Sequence, residues 1–176
     1  RIRLDEIEFL FKHVLYQETI YRSILLRSRK EIHLTVARAI EELFSTRLSD
    51  FYGILAYHYT QAEELDKAEE FLEKAGKAAM DSAASSEALV FFQQALTFYK
   101  RKTGAEASPE RLAIFERTIG KAFQNKGLMQ NAMEHYDTAL GYYGVRKKKL
   151  AGKVLGATAG FISVLRLIYL PPLRHK

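Results

Sequence analysis

The sequence predicts an all-α fold, an α-α superhelix of stacked helix pairs, and three observations carry that expectation. Ala88–Tyr99 (ALVFFQQALTFY) and Ala132–Tyr143 (AMEHYDTALGYY) share the pattern A-x3-[FY]-x2-A-L-x-[FY]-Y, 44 residues apart. In each, the alanine and aromatic positions fall 4, 3 and 4 residues apart, so they lie on one helix face. Ala68, Leu72 and Ala75 form a third, poorer copy. Small residues alternating with aromatics let a neighbouring helix approach closely at the alanines, while the rings fill the flanking grooves. Recurrence at such a period implies units that bury their faces against one another.

Composition narrows the class. The chain has 176 residues, 48% of them apolar, with 11 Phe and 10 Tyr, which suits one domain with a sizeable core. Only 3 Pro and 10 Gly interrupt it, so long irregular stretches are not expected. With 0 Cys there is no disulfide scaffold and no thiolate metal site, as expected of a protein in the reducing cytoplasm. The chain opens RIRLDEIEF, without a secretory signal and without Met, and reads as part of a longer protein. Its net charge of +6 is uneven. From Gly141 onward there are 8 Lys or Arg and no acid, leaving 19 basic and 21 acidic residues before it, or −2. The basic character therefore belongs to the tail.

Taken in order, Ile2, Leu4, Ile7, Phe9 and Phe11 alternate, and Phe9–Phe11 could form a short strand. His13–Leu26 suits a helix through Val14, Ile20, Tyr21, Ile24 and Leu25. A second helix is expected from Ser28 to Phe44, with Ile32, Val36, Ile40 and Leu43 along its stripe. Asp50–Thr60 is a third, rich in tyrosine. Asp66 followed by Glu69 reads as an N-cap and capping box for a helix reaching Ala83. Ser85 or Ser86 is expected to cap the next, which ends at Thr103-Gly104. Ser108-Pro109-Glu110 combines a capping serine, proline at the first helical position and an acid at the positive helix end. That helix should end at Lys126-Gly127 and the next should cover Met129–Tyr143, giving seven helices before the tail.

No motif of catalytic chemistry is present in the sequence. There is no G-x-S-x-G, no G-x4-G-K-[ST] and no H-E-x-x-H, and the five histidines show no metal-ligand spacing. No enzyme, metal or cofactor is expected. The Glu63-Glu64 and Glu69-Glu70-Glu73 clusters are read as solvated helix faces.

Residues 113–146 resemble a tetratricopeptide repeat, a helix–turn–helix unit. Ile119-Gly120-x2-Phe123 sits on its L-G-x2-Y run, Gly127 on its turn and Ala132-x3-Tyr136 on its A-x3-F run. Tyr52, Leu55-Ala56 and Tyr59 with Ala68 and Leu72 resemble an earlier unit, and Ala75-Gly76 and Ala79 with Ala88 and Phe92 a middle one. Glu116 replaces the usual Trp, the terminal Pro is absent, and the units are spaced 20, then 44 residues. Phe11–Tyr21, Arg27–His33, Val36–Glu41 and Ala56–Tyr59 resemble the segment that follows the ATPase domain in large bacterial-type signalling proteins. Those proteins join a class III adenylate or guanylate cyclase, or a DNA-binding regulator, to a STAND-type ATPase and tetratricopeptide repeats. The resemblance implies an N-terminal helical segment at 1–48 adjoining an upstream domain, repeats at 49–145 and a basic amphipathic tail at 146–176. It implies a regulatory scaffold that binds a peptide or a neighbouring domain of the same chain.

Such arrays bind peptides on the face lined by the first helix of each pair. Arg117, Lys121 and Asn125 form a row of donors with Gln124 beside it, on the flank opposite Leu112, Phe115 and Ile119. Tyr57, Gln61 and Lys77 fall on matching positions of the other units, and some tetratricopeptide domains clamp a carboxylate with such a row. The alternative site is the tail. Arg146, Lys147, Lys148 and Lys149 precede Leu150–Leu170, where Leu150, Val154, Ala157, Phe161, Leu165 and Ile168 share a stripe. It is expected to be a helix that docks on the last repeat or holds a homodimer, with membrane or nucleic-acid contact as the competing use.

Overall fold

The computed structural model describes residues 14–145, and every regular element among them is helical. The strand expected at Phe9–Phe11 and the tail helix lie outside the described residues. Seven α-helices follow in order: α1 (Val14–Ser23), α2 (Leu26–Leu43), α3 (Tyr52–Ala62), α4 (Leu65–Asp81), α5 (Ser85–Thr103), α6 (Pro109–Asn125) and α7 (Met129–Tyr142). Tight 3₁₀ turns over Ser45–Phe51 join α2 to α3, with the Phe44 and Phe51 rings stacked 4.2 Å apart.

From α2 onward each helix packs against its successor. Side chains also reach one helix further. Lys67 of α4 donates to Glu41 of α2 at 2.8 Å, and Arg111 of α6 donates to Glu69 of α4 at 3.0 Å. In the other layer, a Cβ on Gly53 of α3 would stand 3.6 Å from the Phe91 ring of α5. So α2, α4 and α6 stand side by side, with α3 and α5 in a second layer. One apolar core runs through both, from Ala37 of α2 through Leu55, Tyr59, Phe71 and Tyr99 to Phe115 of α6.

Two glycines set the spacing of the helix pairs. A Cβ on Gly76 of α4 would lie 2.6 Å from the Phe92 ring of α5. One on Gly120 of α6 would lie 2.7 Å from the Tyr136 ring of α7. The two contacts are 44 residues apart and identical in kind: a ring seated on bare backbone, flanked by wholly buried alanines at Ala88 and Ala132. Of the residues expected at helix contacts, Phe92, Ala95 and Ala139 are buried, while Phe123 and Tyr136, nearer the end of the stack, are half-buried.

Helix ends match expectation where local chemistry decides them. Ser108 Oγ accepts a hydrogen bond from the Arg111 amide at 3.4 Å, with Pro109 at the first helical position. Gly127 and Gly144, both at φ 76°, stop α6 and α7 in the left-handed region that other residues avoid. Three expectations need correction. α1 ends at Ser23 rather than Leu26, where the Ser23 hydroxyl turns back to the Ile20 carbonyl at 2.7 Å. Asp66 is not an N-cap: α4 starts at Leu65 after Glu64, whose side chain makes no cap bond, and Glu69 is drawn to Lys102 and Arg111 instead. Neither Ser85 nor Ser86 caps α5, whose N-cap is Ala84.

The Gly76 contact yields a stability test. Gly76→Ala adds about 1 kcal/mol of helix propensity, but its Cβ would meet the Phe92 ring at 2.6 Å and force that ring out of its packed position. A net loss of about 1–3 kcal/mol is expected in chemical denaturation, against about 3–5 kcal/mol for Phe92→Ala. In a Phe92→Leu background the glycine substitution should cost less, because the two sites are in contact. A Gly76→Ala protein more stable than its parent would contradict this packing.

Candidate functional site

The donor row predicted on α6 opens into a cleft between α4 and α6. The cleft measures ≈ 730 Å³, a size that accommodates a few ligand side chains. Lys77 and Asp81 come from α4, and Arg117, Lys121 and Gln124 from α6. The rings of Phe92 and Tyr136 form its apolar floor, together with Met80. These are the two rings seated on Gly76 and Gly120, so the contact that spaces the helices also builds the floor. Lys77 and Lys121 directly follow those glycines, which places them at equivalent points 44 residues apart.

Lys77, Arg117 and Lys121 are exposed, and none of them forms an ion pair among the described residues. Other cations are paired: Lys30 with Glu63, Lys67 with Glu41, and Lys74 with Glu70. Against three unpaired cations the cleft offers one carboxylate, Asp81. Its field is therefore positive over an aromatic floor, an arrangement that receives a carboxylate flanked by an apolar side chain.

The remaining predicted residues fall differently. Gln124 lines the cleft but its Oε1 already accepts from the Tyr136 hydroxyl at 2.8 Å, so it steadies the floor. Asn125 sits at the rim, its Nδ2 3.8 Å from the Met80 sulfur. Tyr57 and Gln61 do not line the cleft. They belong to α3 in the other layer, and Tyr57 stands edge-on to His33 at 5.5 Å. Arg146, Lys147, Lys148 and Lys149 lie outside the described residues.

Several polar centres escaped sequence reasoning because their members are distant in the chain. Glu69, 6% exposed, takes hydrogen bonds from both Lys102 of α5 and Arg111 of α6, and Arg111 also binds Glu73. Glu69 and Glu73 thus tie three helices together and are not the solvated face expected of them. Buried Glu116 accepts from His135 Nδ1 at 2.6 Å, and that imidazole stacks on Phe123 at 5.2 Å. Among the described residues no group of three or more His, Cys, Asp or Glu could hold a metal. Among them also, no helix is long and apolar enough to cross a membrane.

His33 of α2 and His58 of α3 meet with their Nδ1 atoms 2.9 Å apart, and His33 Nε2 lies 2.9 Å from the Tyr21 hydroxyl of α1. With Tyr21 donating to Nε2, the His33 Nδ1–H donates to His58 and every partner is satisfied. Burial lowers the pKa of His33, and nearby His58 and Arg29 lower it further. Burial alone lowers that of His58. The folded protein thus binds protons here less readily than the unfolded chain, whose histidines titrate near ~6.5. The stability this cluster confers is complete above that pH and is lost as pH falls through the lowered folded values. Thermal melts from about pH 7.5 to about pH 5.5 should show a declining midpoint. His58→Gln should flatten that decline, and a slope equal to the parent's would show that the pair does not govern it.

Comparison with protein-family models, with curated proteins and with solved structures gives no match to this chain.

Proposed function

We propose that this chain is a non-enzymatic protein-interaction and regulatory module, folded as a tetratricopeptide-like α-superhelix, that binds an acidic peptide or a neighbouring domain in the α4–α6 cleft. The observation that carries this reading is the set of unpaired cations, Lys77, Arg117 and Lys121, around the Phe92–Tyr136 floor. The superhelix is supported by the repeated glycine–ring contacts, Gly76 with Phe92 and Gly120 with Tyr136. By the sequence resemblance the module would sit in the cytoplasm beside a STAND-type ATPase. Docking in the cleft would bias that ATPase between resting and active arrangements and so control a cyclase or a transcriptional output.

Peptides carrying Asp or Glu beside Phe or Leu, labelled for fluorescence anisotropy, test the cleft directly. They should bind more tightly than the same peptides with Asn or Gln. The triple change Lys77→Glu, Arg117→Glu, Lys121→Glu should weaken binding by about tenfold or more, with helix content unchanged by circular dichroism. Moderate salt should reduce the affinity without abolishing it, because the aromatic floor contributes independently of charge. Equal affinity for acidic and neutral peptides, or for parent and triple variant, would refute the reading.

A further inference from the structure

Where α7 ends the described stack, it carries an apolar stripe that no further described helix covers. Met129, Met133, Tyr136, Leu140 and Tyr143 recur at intervals of 4, 3, 4 and 3 residues along it. Tyr136, Leu140 and Tyr143 border a groove of ≈ 500 Å³ whose other wall is Ala113, Ile114 and Arg117 of α6.

The preceding pair shows what such a groove receives. Subtracting 44 takes Tyr143 to Tyr99. On the α4–α5 pair, helix α6 lies over that position: the Tyr99 hydroxyl accepts from the Ser108 amide at 2.9 Å, and its ring meets Phe115 at 5.5 Å. Tyr99 is 7% exposed and Tyr143 is 58% exposed. The α6–α7 pair thus repeats the ring-on-glycine packing of the α4–α5 pair, and among the described residues no helix covers it.

We propose that residues 150–170 of this chain occupy the α6–α7 groove as α6 occupies the α4–α5 groove. Three features favour this occupant. The first is distance along the chain. Five residues, 104–108, link α5 to α6, and seven, 143–149, would link α7 to residue 150. A tether that short gives an effective concentration in the millimolar range, beyond what a second copy reaches in solution.

The second is the stripe. Phe161, Leu165 and Ile168 repeat the 4 and 3 spacing of Phe115, Ile119 and Ala122, all three buried on α6. The third is charge. Lys102 of α5 pairs with Asp66 of α4 at 3.0 Å. Adding 44 to each gives Arg146 and Glu110, again a cation and an acid. The inference stands on the packing repeat and does not depend on the peptide-binding reading of the cleft.

The 176-residue chain has 0 Cys, so paired cysteines report directly. Leu140→Cys with Phe161→Cys should form an intramolecular disulfide under mild oxidation at micromolar protein. Leu140→Cys with Ser163→Cys, on the opposite side of the segment, should form far less. Both proteins are first checked for parental helix content. Hydrogen exchange on the unmodified 176-residue chain is the second measurement, and amides of 154–168 should be protected at low protein concentration. Four outcomes would overturn the proposal. They are equal cross-linking of the two pairs, disulfides mainly between chains, unprotected amides, or protection that appears only with anionic phosphatidylserine vesicles, which would assign the segment to a membrane surface.

Discussion

The spacing of the helix pairs depends on side chains that are missing. At Gly76 and Gly120 an aromatic ring rests where a Cβ would stand, at 2.6 and 2.7 Å. The glycines cost helix propensity, about 1 kcal/mol each. They are offset by the burial of a whole ring and by the close contact it permits between backbones. The large buried residues, Tyr59, Phe71, Phe115 and Leu55, then fill the space between layers at the separation those contacts set. The cleft floor follows from the same geometry, since a ring held flat on a glycine presents its other side outward.

Polar contacts fix what packing leaves open, the register of one helix against the helix two further along. Arg111 reaches Glu69 and Glu73, and Lys67 bridges Glu41 and Glu70. Arg111 also stands 4.7 Å over the Phe115 ring, so its charge is held by both carboxylates and an aromatic face. Glu69 is the hub. A carboxylate so deeply buried demands partners, and removing either Lys102 or Arg111 leaves it with one. The network therefore reads as structural specification of helix order.

Much of the fold was legible because its determinants are local. The 4, 3, 4 spacing marked the buried faces of α5 and α7, Ser108-Pro109 marked the start of α6, and Gly127 and Gly144 marked helix stops. Illegible were the positions whose partners lie far along the chain. Glu69 matches a capping box in sequence but is captured by residues 33 and 42 positions away. His33 and His58, 25 residues apart, meet only because α2 packs on α3. The donor row was half legible. Lys77, Arg117, Lys121 and Gln124 come together, but Tyr57 and Gln61 do not join them. The repeat pattern fits α4 twice, as the second helix of one unit and the first of the next, as the spacing of 20 and then 44 residues implies. A helix can occupy one layer only, and α4 stands with α2 and α6.

Tyr136 and Arg117 line both the cation-rich cleft and the apolar groove beyond it. Tyr136 is half-buried, resting on Gly120 and bonded to Gln124, and its ring borders both cavities. Phe92 holds the equivalent place one unit earlier and is 5% exposed. The difference is one of neighbours, since α6 closes over the α4–α5 pair while no described helix closes over α6–α7. A ring enclosed on one side is restricted on the other as well. Whatever fills the apolar groove would therefore limit the motion of the cleft floor, and an ordered floor lowers the entropy that a peptide must lose on binding. Covering the end of the stack and shaping the cleft are thus two consequences of one side chain's position.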